Sequence, residues 1–149
     1  MEAKYKDKKI EFKEETTVGQ LLEKEIKESE HEVIAATFNN EYVNLNYKIK
    51  ESGEIKLIDL SSKAGMRIYR NTLIYILGMA FEKLFPDRKM TVNYQLTNSM
   101  FCDIDNTEVT EEIVQKLNEE MKRIVKENLP IRQAIMTREE AKKLYDQTN

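Results

Sequence analysis

The residues best able to do chemistry lie between positions 63 and 78. Lys63, Arg67 and Arg70 put three cations into the first turns of a segment that reads as helical. Cations near a helix N-terminus oppose the macrodipole by a few tenths of a kcal/mol to about 1 kcal/mol, so their placement asks for a reason. Steps of four, four and three put Arg67, Asn71, Tyr75 and Gly78 on one helical stripe, with Arg70 beside it. The stripe offers a guanidinium fork, an amide that both donates and accepts, a phenol for stacking, and a gap for close approach. Such a set suits a phosphate, a carboxylate or a nucleotide. The plain alternative is that the arginines are solvated or pair with acids of the preceding segment.

Other candidates are weaker. His31, between Glu30 and Glu32, could titrate upward or hold a metal, but a lone loop histidine is expected to do neither. Cys102 has no second histidine to activate it and reads as a packed strand thiol. Asp103 and Asp105 are of the type that binds Mg²⁺. There is no phosphate loop for them to serve, so they read as strand-end and turn residues. The dinucleotide, zincin and nucleophile-elbow patterns are absent as well. The residues supply no complete catalytic set.

The elements that must position these groups are read from periodicity. Tyr5, then Ile10 and Phe12, mark two short strands around the turn Lys6, Asp7 and Lys8. Thr17 with Gln20 forms a capping box that opens a helix over 18–28, with Val18, Leu21, Leu22 and Ile26 inward. A strand over 33–38, the turn Asn39-Asn40, a strand over 41–43 and a last strand around 55–58 complete a β-β-α-β-β-β order. A long helix over 64–85 comes next, with the apolar stripe Met66, Tyr69, Leu73, Leu77, Ala80 and Leu84 expected to face a core. Strands over 90–94 and 100–104 are joined by the polar stretch 97–99. Thr110, Glu111 and Glu112 open a helix with Ile113, Leu117, Met121 and Ile124 on its core face, ended by Leu129-Pro130. A short strand over 131–136 and a helix opened by the Thr137 and Glu140 capping box end the chain. The fold class expected is α+β, with a boundary near Ser61-Ser62 that divides 1–60 from 61–149.

Composition bounds the rest. The chain has 149 residues, with 24 Lys and Arg against 27 Asp and Glu, for a net charge of −3. Residues 1–60 carry 10 basic and 14 acidic side chains, and residues 61–149 carry 14 and 13. Nucleic-acid affinity rests on neutralising phosphates, so any such site must be a local basic patch. One Cys excludes a disulfide framework and a multi-cysteine zinc site. No apolar run reaches the roughly 18 residues of a membrane span, and residues 1–12 are too charged for a signal peptide. The expectation is a cytoplasmic chain with no membrane partner.

Residues 8–60 resemble a TGS domain, the small ubiquitin-like β-grasp module at the N-terminus of threonyl-tRNA synthetase. The likeness rests on the order of elements, on residues 17–22 at the helix start, and on residues 33–43, where Asn40 stands at the hairpin position usually held by Gly. Residues 61–146 resemble part of the editing-type second domain of the same synthetases, through residues 68–77, 84–87, 101–103 and 130–141. In those enzymes two histidines at i and i+4 bind a metal used to hydrolyse mischarged tRNA. Here Asn71 and Tyr75 occupy those positions. Asn is a weak neutral ligand and Tyr a rare one for zinc, so the resemblance implies neither metal nor deacylation here. The family's other ligands come from a later region, and the stop at Asn149 looks abrupt, as if the polypeptide continues.

Residues 65–73 and 84–86 are also similar to uridine kinase-like proteins, as are 93–96 and 100–103, with Tyr94 in place of a His. That resemblance implies a non-catalytic N-terminal regulatory or ligand-binding module ahead of a nucleoside kinase domain. ATP and Mg²⁺ would belong to the downstream kinase alone, leaving no cofactor in this chain. The expected ligand is a nucleotide or an RNA end, held by Lys63, Arg67, Arg70, Asn71 and Tyr75. The alternatives are a threonyl-tRNA synthetase-like tRNA-binding or editing module, and a protein-interaction module. An incomplete second domain leaves an edge or apolar face uncovered, which favours a homodimer.

Overall fold

The structure is a computed structural model that describes residues 1–96, 99–129, 131 and 134–146. The chain divides into two compact units, Met1–Gly78 and Met79–Asn149. In the first unit, strands β1 (Glu2–Tyr5) and β2 (Lys8–Glu11) form a hairpin whose turn holds Lys6 at φ 53°. Strands β3 (Val33–Phe38) and β4 (Glu41–Val43) form a second hairpin. Its turn residues Asn39 and Asn40 lie at φ 49° and 67°, the left-handed region that Asn tolerates best after Gly. Strand β5 (Gly53–Asp59) lies between the hairpins, parallel to β1 and antiparallel to β3, giving the order β2-β1-β5-β3-β4. This is a β-grasp sheet. Ala3, Tyr5, Phe12, Val18, Leu22, Ala36, Phe38, Ile49 and Ile55 form its buried core.

The Thr17 capping box forms as the spacing predicts. The Gln20 N–H donates to the Thr17 hydroxyl at 3.2 Å, and the Thr17 N–H donates to the Gln20 side chain at 3.0 Å. The single helix expected over 18–28 is instead two short pieces, α1 (Val18–Leu21) and α2 (Glu23–Lys27). The break falls at Leu22, at φ −114° and ψ 26°. The first turn is tied sideways, because the Val18 and Gly19 N–H groups donate to the carbonyls of Tyr47 (3.1 Å) and Leu45 (2.7 Å). The break at Leu22 lets that tied turn coexist with full burial of both Val18 and Leu22. These are tertiary bonds between distant residues, which local periodicity does not encode.

Helix α3 (Lys63–Leu84) is a single rod of 22 residues. Its apolar stripe departs from the expected core role. Met66, Tyr69 and Leu73 are exposed, Leu77 and Leu84 are half-buried, and Ala80 with Phe81 are the buried residues. In this stretch the helix turns another face inward, where Gly65 is buried and Ile68, Thr72 and Ile76 are half-buried.

In the second unit, β6 (Met90–Leu96) and β7 (Ser99–Ile104) form an antiparallel pair with a register shift between Val92 and Gln95. Helix α4 (Glu111–Glu127) is capped by the Thr110 hydroxyl, which accepts from the Ile113 N–H. It buries Leu117 and Ile124, with Ile113 and Met121 beside them, as its spacing predicts. Its end comes at Asn128, at φ 47°, and residue 130 lies outside the described residues. Lys83 of α3 pairs with Glu120 of α4 at 3.0 Å, and Arg123 reaches the same carboxylate at 2.6 Å. Helix α5 (Arg138–Asp146) starts at the expected capping box, where the Thr137 N–H donates to Glu140 at 2.8 Å. The strand expected over 131–136 does not form in the residues described there. Ile131 and residues 134–136 are irregular and exposed, and no described strand offers them a ladder. Residues 132–133, like 97–98 of the polar connection, lie outside the described residues. No described helix is long and apolar enough to cross a membrane.

This packing sets three expected outcomes. Leu22→Ala, at a fully buried position, should destabilise the β-grasp unit by about 2–5 kcal/mol in urea unfolding. Gly65→Ala should destabilise even though Ala is about 1 kcal/mol the better helix former, because its Cβ would fall 1.9 Å from the Asp59 carbonyl oxygen. A thermal melt that rises for this variant would show that the contact yields. The Arg123 and Lys83 hydrogen bonds hold the Glu120 carboxyl down at about 2 from an ordinary 4.5. Its contribution is therefore complete above pH 4.5 and fades as pH falls towards 2. Glu120→Gln should flatten that part of the melting temperature–pH curve.

Candidate functional site

The cationic start of α3 is set by a compact polar joint. Strand β5 ends at Asp59, whose carboxylate accepts from the Ser61 N–H at 3.0 Å and the Ser61 hydroxyl at 2.6 Å. The Ser61 hydroxyl is the main cause holding the Asp59 carboxyl below its ordinary range. Partial burial opposes it, and the Ser61 and Ser62 N–H groups and the His31 charge add to it. The Ser62 hydroxyl donates to the Asp59 carbonyl at 2.8 Å and accepts from the Gly65 N–H at 3.0 Å, which makes it the N-cap of α3. Gly65 is buried against the Asp59 carbonyl, at an approach only a residue without Cβ allows. The joint fixes where α3 leaves the sheet and so where Lys63, Arg67 and Arg70 emerge.

Arg67 does not reach an acid of the first segment. One of its Nη groups donates to the Tyr42 hydroxyl at 3.2 Å, and its guanidinium stands 5.8 Å from the centre of that ring. Tyr42 lies on β4, with 57% of its surface exposed. The pair is a cation–π contact on an accessible surface, worth about 0.5–1 kcal/mol at such sites. Arg70 is half-buried and engaged with other groups. Lys63, Asn71 and Tyr75 are exposed on the helix. A methyl group at Gly78 would meet nothing within 4 Å, so no neighbour demands glycine there. The helix thus presents cations, an amide and two phenols on an open surface. A hollow of about 660 Å³ lies elsewhere, floored by Tyr5, Val33 and Leu57 and rimmed by charges of both signs.

The remaining candidates sit as the residue types suggest. His31 is exposed in a bend, and its charge acts on Asp59. Cys102 is half-buried on β7, and burial pushes its thiol up, away from the reactive thiolate. Asp103 lies near the end of β7, and Asp105 lies in the turn after it, where its N–H donates to the Lys89 carbonyl at 3.0 Å. Among the described residues, no three His, Cys, Asp or Glu side chains come together as a metal set. Two residues escaped the sequence reading as a pair. Tyr94 and Phe101 stack across β6 and β7, with ring centres 5.2 Å apart and planes 15° apart, and both are exposed. Their symmetry about positions 97–98 was the available signal.

Comparison with known proteins now bears on these elements. Residues 1–61 match the model of the ThiS family. The chain is 31% identical to the threonine–tRNA ligase of Carboxydothermus hydrogenoformans over 117 residues, which is 78% of this chain and 18% of that protein. It is 31% identical to the corresponding ligase of Caldanaerobacter subterraneus over 134 residues, 89% of this chain and 21% of that protein. A Geobacillus threonine–tRNA ligase matches at 31% over 138 residues, 92% of this chain and 21% of that protein. The chain spans about a fifth of the length of these curated relatives. Residues 1–61 thus form a β-grasp domain similar to the ThiS family, which fits a TGS-like module, in a chain similar to threonine–tRNA ligases over most of its length.

Proposed function

We propose that the chain is a tRNA-contacting module of the threonyl-tRNA synthetase type, one that binds tRNA and does not hydrolyse a mischarged one. The observation that carries this reading is the likeness to threonine–tRNA ligases over 78–92% of the chain. Those relatives are named for an activity on tRNA, and the likeness runs through both the β-grasp domain and the segment beyond it. The uridine kinase resemblance rests on four short stretches and has less to support it. Because the chain spans a fifth of its relatives, ligation itself is not proposed for these residues.

The residues favour contact over catalysis. Asn71 and Tyr75 stand where the synthetase pattern has its metal-binding histidines, and this donor pair does not fit zinc. Among the described residues the exposed Arg67 makes one side-chain hydrogen bond, to Tyr42, and its guanidinium fork suits a phosphate oxygen pair. Lys63 and Arg70 lie within a turn of it. This local cluster is what an acidic chain of net charge −3 needs to hold a polyanion.

Fluorescence anisotropy with a threonine tRNA transcript, over a series of salt concentrations, tests the reading. The chain should bind, and Arg67→Ala with Arg70→Ala should weaken binding and lower the log–log salt slope by about two. Seryl-tRNA should survive incubation with the protein. Unchanged affinity and slope in the double variant would remove the phosphate site, and turnover of seryl-tRNA would remove the non-hydrolytic part.

A further inference from the structure

We propose that the stacked Tyr94–Phe101 pair on the outward face of β6 and β7 is a platform on which unpaired RNA bases stack. The proposal rests on the tRNA-contacting reading and names the part of the RNA that this hairpin would meet. Between the pairs Val92↔Cys102 and Gln95↔Met100, Asn93 and Tyr94 together face Phe101, and it is the Tyr94 ring that stacks on it. Beyond them the register shifts to Val92↔Cys102, so Asn93 is the extra residue of a bulge. Without that bulge, strict alternation from Val92 would turn Tyr94 to the inner face. The bulge re-aims it outward, a role bulges often have beside functional surfaces.

The two faces of the hairpin differ sharply in chemistry. The inner face carries Met90, Val92, Met100, Cys102 and Ile104, all buried or half-buried. Among the outward-face residues whose side chains are described, Thr91, Ser99 and Asp103 accompany the two rings, and the register sets position 96 opposite Ser99. Tyr94 is 54% exposed and Phe101 44%. Thr91, Ser99 and Asp103 are short hydrogen-bonding groups, of the kind that suits the edges of bases stacked on the rings. Each aromatic ring offers every base a π-face, so the contact tolerates any sequence. Among the described residues of this face none is cationic, so the platform adds stacking and no phosphate neutralisation.

That absence gives the proposal its own signature. The chain has no Trp, so Tyr94→Trp installs a single indole reporter. Its emission should be quenched by a short single-stranded oligoribonucleotide and not by the same sequence in a duplex. Tyr94→Ala with Phe101→Ala should weaken oligonucleotide binding at least about fivefold at every salt concentration, with the salt slope unchanged. Tyr94→Phe should keep the affinity, whereas Tyr94→Leu, which keeps bulk without a ring, should lose it. Wild-type affinity in the double Ala and Leu variants, with no quenching of the indole, would overturn the platform. If tRNA binding persists in that case, the function proposed above still stands. Conversely, quenching by the oligonucleotide without any binding of tRNA would keep the platform and remove that function. A change in the protein's size in solution on losing the rings, with no change in RNA affinity, would mark the pair as a protein contact and overturn the proposal.

Discussion

One small contact governs the geometry of the functional surface, the approach of Gly65 to the carbonyl of Asp59. The last strand of the β-grasp sheet ends there, and a 22-residue helix begins within the next turn. The Ser62 hydroxyl serves both sides, donating to the Asp59 carbonyl and accepting from the Gly65 N–H. An N-cap of this kind is worth about 1 kcal/mol to a helix. Its larger effect here is directional. Strand end, cap and first turn are held by short bonds, so the helix cannot pivot without breaking a hydrogen bond or opening a close contact. The cations of the first two turns inherit that rigidity.

The same joint brings Arg67 to Tyr42. An arginine at a helix N-terminus is out of place electrostatically, and the ring face and hydroxyl of Tyr42 offset part of that cost. The guanidinium is thereby held in place, which would lower the entropy lost if the proposed phosphate bound there. The aromatic hairpin works differently. It has no charge to offer an anion, and its rings are aligned by a cross-strand register and a bulge. On the reading proposed above, a cationic helix start and an aromatic surface would be complementary means of meeting RNA, one reading phosphates and the other bases.

The comparisons shift the balance between the two resemblances. Likeness to threonine–tRNA ligases covers both the β-grasp domain and the segment beyond it. The nucleoside kinase likeness rests on four short stretches, and in the first of them, Gly65–Leu73, the glycine and an arginine also have structural work to do. Gly65 is required by the Asp59 carbonyl, and Arg67 is held by Tyr42. Residues with such local duties are weak witnesses to one function over another.

The amino-acid sequence by itself determined the elements whose causes are local. The capping boxes at Thr17 and Thr137, the Asn39-Asn40 turn, the Thr110 cap and the buried face of α4 all depend on residues within a few positions of one another. The cationic stripe was legible for the same reason, since helical spacing puts Arg67, Asn71 and Tyr75 together wherever the helix goes. Only the tertiary structure decided what those residues meet. The helix break at Leu22 depends on carbonyls more than twenty residues away, and the exposed Arg67 meets a phenol on β4, a partner its position on the helix does not reveal. Met66, Tyr69 and Leu73 have the spacing of a core stripe and are exposed, whereas Gly65, Ile68, Thr72 and Ile76 on another face of the helix are buried or half-buried. Hydrophobic spacing states which face a helix would bury. Whether anything remains for that face to cover is set by how the whole chain packs, and no short stretch of sequence carries that information.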